Sequence, residues 1–146
     1  MASNLIKYAE SLLASRLSDY SDWPNASVPN GPGVYAVWME EELVWVGSAG
    51  GSLRSRFERH TKGNRRGSEF LKAIYARLMF RHMGLEKAMQ TASETQLLVD
   101  AITGKFVREQ LAYRYLATRD EKTAEMIASA ICSGQTSSPK PFLNPS

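Results

Sequence analysis

The chain has 146 residues, of which 43% are hydrophobic and 23% charged, and its formal net charge is +3. This length suits one globular core, and a single cysteine excludes a disulfide framework and a zinc site built on paired thiolates. No stretch approaches the roughly 18 consecutive apolar residues of a membrane span, and the start lacks a secretory pattern. We therefore expect a cytoplasmic protein with no membrane partner.

The first predicted element is an amphipathic helix over residues 4–20, with Asn4 as its cap. A polar, proline-containing linker follows, so we divide the chain into a helix and linker over 1–30 and a domain over 31–146. Strand-like runs at 33–39 and 43–47 predict an antiparallel hairpin. Alternation along the first strand should place Tyr35 and Val37 on one face and Val34 and Ala36 on the other.

A helix is predicted over 53–60 after a turn, with Ser52 as its cap. Arg56 and His60 are four residues apart on it and should share a face. Further helices are predicted over 68–83 and 85–111, the latter broken near Gly104. A strand at 113–118, a last helix ending near 133–134 and an extended tail complete an α+β domain, in which helices flank a small antiparallel three-stranded sheet.

The basic residues are concentrated between residues 54 and 66, where the only acid is Glu58. Such a patch on a nearly neutral chain fits a polyanion, although a solvated helix face would have the same composition. The candidate nucleic-acid-binding residues of this patch are Arg54, Arg59, Lys62, Arg65 and Arg66.

Several short motifs in order resemble those of the GIY-YIG nuclease superfamily. They are Gly33-Val34-Tyr35, Trp45-Val46-Gly47, Arg56 with His60 on the next helix, and Asn144 near the end. The resemblance covers most of residues 31–146 and extends to small stand-alone bacterial members. It implies a GIY-YIG-like sheet with an extra N-terminal helix, and an endonuclease that hydrolyses DNA phosphodiester bonds with Mg²⁺ or Mn²⁺, RNA being the other possible substrate.

The resemblance also assigns roles. Tyr35 would position and activate water, Arg56 would stabilise the phosphate with its rigid fork of donors, and His60 would assist. Asn144 would support the site, and Gly47 would leave room for substrate at the end of its strand. On composition alone, each of these residues could equally serve packing, turns or an ordinary solvated surface.

Two departures from the family pattern matter. Trp45 stands where relatives carry a second tyrosine, and an indole can form a wall of the site but cannot shuttle a proton. The metal-binding glutamate of relatives aligns with Ala128, which cannot ligate an ion. Three explanations remain open: a deliberate replacement that traps uncleaved substrate, an ion held instead by Glu125 or Glu109, or a chain that binds without cutting.

Two other functions compete with the nuclease. The first is a non-catalytic nucleic-acid-binding module that uses the same basic surface. The second is a protein-interaction domain in which Trp23, Trp38 and Trp45 form a surface for a partner.

Overall fold

A computed structural model describes residues 2–145, with side chains from Asn4 onward. The fold is α+β, built on one antiparallel sheet with helices on both of its faces. The sheet has the strand order β1-β4-β2-β3. Its strands are β1 (Ser18–Asp19), β2 (Gly33–Met39), β3 (Glu42–Ala49) and β4 (Leu111–Ala117).

Helices make up most of the rest of the described chain. They are α1 (Ala2–Ala14), α2 (Leu53–Lys62), α3 (Glu69–Ala73), α4 (Phe80–Met83), α5 (Leu85–Ala92), α6 (Gln96–Gln110) and α7 (Glu121–Cys132). A π-helical segment, Ile74–Met79, joins α3 to α4. A short 3₁₀ turn, Tyr20–Asp22, follows β1. Among residues 2–145, no helix is both long enough and apolar enough to cross a bilayer.

The predicted alternation along β2 is confirmed. Tyr35 and Val37 belong to one hydrophobic cluster, which also contains Phe57 of α2 and Val107 of α6. Val34 and Ala36 belong to the other cluster, which α1 and α7 cover. The sheet therefore separates two cores, and α2 and α7 lie on opposite faces of it.

The sheet has four strands rather than the predicted three because the first predicted helix is shorter than expected. The helix ends at Ala14, where the Ser15 hydroxyl donates to the Leu12 carbonyl. Ser18 and Asp19 then pair with Tyr113 and Ala112, which adds a strand at one edge.

The N-terminal segment packs on its own domain and is not a separate appendage. Ala9 and Leu12 of α1 are fully buried against α7 and the sheet. Tyr20, from the end of the predicted helix, and Val28, from the predicted linker, are fully buried in the other cluster. Residues 4–30 are therefore part of both cores.

The predicted break near Gly104 is wrong. The interruption falls instead between α5 and α6, where Thr95 caps α6 and accepts a bond from the Leu98 N–H. Gly104 lies within α6. A glycine is needed there because a Cβ would come within 2.7 Å of the Thr61 carbonyl oxygen. The glycine thus lets α6 cross the end of α2 at close range.

Candidate anion-binding cavity

A cavity of about 200 Å³ lies between the β2–β3 hairpin and α2. The structure brings together here five of the residues that the sequence singled out. The wall consists of Tyr35, Trp45, Arg56, Arg59, His60 and residues 67–70. The sheet supplies the two aromatic side chains, and one helical turn of α2 supplies the basic ones.

Gly47 makes room for the Tyr35 phenol. The two residues are direct partners across the β2–β3 ladder. A Cβ at residue 47 would lie 2.6 Å from the Tyr35 hydroxyl oxygen and 2.9 Å from Trp45 Nε1. The absence of a side chain at Gly47 therefore leaves the space that the phenol occupies, and close approach of substrate to the Gly47 backbone stays a prediction.

Tyr35 is a poor proton acceptor in this setting. Its side chain is 1% exposed, and its ring meets Phe57 edge-on at 5.4 Å between centroids. Burial raises the pKa of the Tyr35 hydroxyl, while the neighbouring Arg56 guanidinium and Trp45 indole lower it by less. The phenol stays protonated near neutral pH and offers a hydrogen-bond donor to the cavity.

His60 is neutral in the folded protein. Its ring is fully buried, stacks on Phe70 at 4.2 Å and shares a 2.8 Å hydrogen bond between Nδ1 and the Tyr20 hydroxyl. Burial, reinforced by Arg56 and Arg59, puts the pKa of His60 well below its usual value. When Tyr20 donates to Nδ1, Nε2 carries the ring proton, and in the other tautomer Nε2 is an acceptor.

Two buried ring nitrogens in this wall lack partners. Within residues 2–145, Trp45 Nε1 makes no well-oriented hydrogen bond, and neither does His60 Nε2. Buried polar atoms are nearly always satisfied in folded proteins, by protein, water or ligand. Two such atoms in the wall of one small cavity favour a polar ligand there.

The chemistry of the wall favours an anion. Arg56 and Arg59 contribute two positive charges, and Trp45 and Tyr35 contribute neutral donors. Glu69 is the one carboxylate in the lining, and its side chain is 81% exposed. A phosphate group, with acceptor oxygens on every side, matches this donor set.

Position 128 does not share the cavity. Ala128 packs against the aliphatic cluster that contains Val34 and Ala36, on the opposite face of the sheet from Tyr35. The expected convergence of Tyr35, Arg56 and residue 128 on one pocket is therefore found for the first two only. The motif resemblance placed Ala128 correctly on the last helix, but it could not show which face of the sheet that helix covers.

The described residues do not fit a divalent metal ion. Glu125 and Glu109 are exposed on α7 and α6, and neither lines the cavity. Across residues 2–145, no group of three or more His, Cys, Asp or Glu side chains is placed to hold an ion. With alanine at position 128, the described residues bring one carboxylate to the cavity, the largely exposed Glu69, and no cluster of carboxylates that would hold Mg²⁺ or Mn²⁺.

Asn144 braces the outer edge of β3. Its side-chain amide accepts from the Val46 N–H and donates to the Val46 carbonyl, both at 2.8 Å. The preceding residues continue this pairing, since the Leu143 N–H donates to the Val44 carbonyl. Asn144 thus supports the strand that carries Trp45 and Gly47, and it does not line the cavity.

The predicted basic surface divides into free and committed cations. Arg54 donates to the Val28 carbonyl, and Arg65 pairs with Asp100 at 2.6 Å and covers the Tyr75 ring. Arg59 lines the cavity and donates to the Arg66 carbonyl. Lys62 and Arg66 are exposed, and Lys62 forms only an exposed ion pair with Glu58, at 3.7 Å. Only Arg59, Lys62 and Arg66 of the five therefore remain suited to a polyanion.

The three tryptophans do not form a common surface. Trp45 is 9% exposed, and Trp23 packs on Phe57 and donates to Glu58. Trp38 belongs to the opposite cluster and is covered by the Arg114 guanidinium at 4.4 Å. This arrangement does not favour the partner-binding hypothesis.

Sequence reasoning missed two residues that shape the cavity. Tyr20 falls at the end of the predicted amphipathic helix, yet it is the hydrogen-bond partner of His60. Phe70 falls in the predicted helix over 68–83, and it forms part of the wall. A tyrosine in an otherwise polar stretch was the one available signal for Tyr20.

Comparisons with known proteins add no relative: no family model, curated protein or solved structure matches this chain.

Proposed function

We propose that this protein is a GIY-YIG-like nuclease domain that binds the phosphate backbone of DNA in the cytoplasm through the cavity between the hairpin and α2. In this proposal β2, β3 and β4 correspond to the three strands of that fold, and β1 is an addition. The observation that carries it is the grouping of Tyr35, Trp45, Arg56 and His60 around one cavity with two unpartnered buried nitrogens.

The donor set supports phosphate recognition over other ligands. The planar fork of Arg56 suits two oxygens of one phosphate, and Arg59 adds charge at the same opening. A cavity of about 200 Å³ is small for a whole nucleotide but ample for a phosphate group. Lys62 and Arg66 are exposed and lie close to Arg59 in the sequence, so they extend the positive charge beyond the opening of the cavity.

Three observations favour binding without cleavage as the second candidate. The chain has a methyl group where the family has its metal-holding carboxylate, residue 128 lies on the opposite face of the sheet from the cavity, and burial raises the pKa of Tyr35. We therefore infer that the chain as it stands binds phosphodiesters without hydrolysing them.

Binding is tested with a fluorescein-labelled DNA duplex of mixed sequence, titrated at several salt concentrations. Affinity should fall as salt rises, because phosphate contacts release counterions. Arg56→Ala should weaken binding by about tenfold or more, as expected for a charge-assisted hydrogen bond. The matched control is Arg119→Ala, an exposed arginine at the start of α7 that should leave affinity unchanged. Equal affinity of both variants would contradict the proposal.

Cleavage is tested with supercoiled plasmid in Mg²⁺ or Mn²⁺. Because residue 128 lies on the opposite face of the sheet from Tyr35, Ala128→Glu should not produce nicking. Nicking by Ala128→Glu that is lost when Tyr35→Phe is added would show a disabled endonuclease instead. Ser129→Glu, at the exposed neighbouring position, is the matched control for added charge. Absence of nicking by Ala128→Glu, alongside intact DNA binding, would leave the binding module as the function.

A further inference from the structure

A second positively charged recess lies at the outer edge of β3. It has a volume of about 400 Å³, and its wall includes Arg77 of the π-helical segment with Lys140 and Phe142 of the C-terminal segment. The first cavity is lined by α2 and α3, so the two sites use different cations. The sequence analysis assigned no role to these three residues.

Phe142 orients two guanidinium groups, that of Arg77 in the wall of the recess and that of Arg81 next to it. The Arg77 guanidinium carbon lies 5.0 Å from the ring centroid, and that of Arg81 lies 4.5 Å from it. The ring is fixed in turn, because the Phe142 N–H donates to the Leu43 carbonyl of β3 at 3.1 Å. Cation–π contacts of this kind hold arginine side chains in place while leaving their N–H donors available.

The cations of the recess are only partly neutralised. Arg81 pairs with Glu42 at 2.8 Å. Arg77 and Lys140 are exposed, and neither makes an ion pair with any residue between 2 and 145. Oriented, unneutralised arginine beside a lysine is the arrangement that recognises phosphate. The recess is therefore electrostatically suited to the same ligand class as the first cavity.

We propose that Arg77, Arg81, Lys140 and Phe142, here termed the edge clamp, bind a second phosphate of the DNA whose backbone enters the first cavity. This inference rests on the proposed function. One continuous helical run, residues 69–83, connects the two sites, since Phe70 lines the first and Arg77 the second. Seven helical residues span about 10 Å, which one nucleic-acid backbone can bridge.

The edge clamp contacts phosphate and not bases. The Phe142 ring already carries guanidinium groups within 5.0 Å, so it serves them rather than a stacked base. Binding at the clamp should therefore add affinity and salt dependence with little sequence preference.

The test is the salt dependence of binding to the same labelled mixed-sequence duplex. Arg77→Ala should weaken affinity about fivefold at low salt and reduce the slope of log affinity against log salt by about 0.9, the value for one lost phosphate contact. Arg77→Lys should keep the slope because it keeps the charge. Arg119→Ala should match the unmodified protein in both quantities.

The outcomes separate this inference from the proposed function. If Arg77→Ala has the same DNA affinity and salt slope as the unmodified protein while Arg56→Ala binds more weakly, the edge clamp alone is overturned. Unchanged binding by Arg56→Ala as well, or no binding of the duplex by the unmodified protein, would overturn both. Loss of slope in Arg77→Ala but not in Arg77→Lys supports the clamp.

Discussion

The two faces of the sheet bury different kinds of side chain. Behind Val34 and Ala36, α1 and α7 contribute aliphatic residues such as Leu12 and Ile127, all fully or almost fully buried. The opposite face, called the front face below, carries Tyr35, His60 and a group of packed aromatic rings. Within residues 2–145, the buried side-chain polar atoms without partners, Trp45 Nε1 and His60 Nε2, both lie on this front face.

Under the proposed function, that difference marks where the fold gives up stability for binding. Unpartnered buried donors and acceptors cost free energy, so a sequence optimised only for folding would remove them. The aliphatic face follows that rule, and the ring-rich face departs from it around one cavity. We therefore expect substitutions on the two faces to have separable effects, on the free energy of unfolding behind the sheet and on DNA affinity in front of it.

The largest expected effect is on the aliphatic face. Ile127→Ala removes a side chain that is 1% exposed, and it should lower the free energy of unfolding by about 3 kcal/mol, within the range for buried truncations. Urea denaturation measures this loss. DNA affinity, measured below the unfolding transition, should not change. A folded Ile127→Ala protein with weakened DNA binding would show that the two faces are not separable.

The next effect tests the packing of the phenol. Gly47→Ala places a methyl group 2.6 Å from the Tyr35 hydroxyl oxygen, so the ring must shift, and we expect a loss of about 1–3 kcal/mol of stability. Gly51→Ala is the matched control, because a Cβ there meets no atom within 4 Å. Urea denaturation of both variants is the measurement. Equal stability of the two would mean that Gly47 is not needed to accommodate Tyr35.

Much of this arrangement was accessible from sequence because it depends on local periodicity. Strand alternation placed Tyr35 and Val37 together, and helical spacing placed Arg56 beside His60, and both predictions are confirmed. These inferences need only the repeat of one element.

The remaining parts depend on contacts between distant elements, which local patterns do not encode. No periodicity shows that α7 covers the opposite face and takes Ala128 with it. The fourth strand is only two residues long, so it carries too little pattern to be recognised. Gly104 was taken as a helix breaker, but its reason is the close crossing of α2 and α6.

The pH dependence of stability should report the burial of His60. Because its folded pKa is well below the unfolded value near 6.5, the unfolded chain binds the extra proton between these two pKa values. The free energy of unfolding should therefore fall as pH drops below about 6.5, by at most about 1.4 kcal/mol per pH unit from this group.

His60→Gln isolates that contribution. The variant should lack this part of the pH dependence between about pH 7 and pH 5. His82→Gln, at an exposed histidine, should retain it. Urea denaturation across this pH range makes the comparison. If His60→Gln retains the full dependence, the imidazole is not held neutral by the ring-rich face.

The smallest expected effect on stability concerns the unpartnered indole. Trp45→Phe removes an N–H that makes no well-oriented hydrogen bond to the protein, and the lost volume adjoins an existing cavity, so the free energy of unfolding should change by less than about 1 kcal/mol. DNA affinity should nevertheless fall by about threefold, because one donor to the phosphate is lost. Trp23→Phe should behave in the opposite way, since its indole donates to Glu58: stability falls by about 1 kcal/mol or more, and affinity is unchanged. Urea denaturation and fluorescence-anisotropy titrations of the two variants are the measurements. If Trp45→Phe binds DNA as tightly as the unmodified protein, Trp45 Nε1 is not a donor to the ligand.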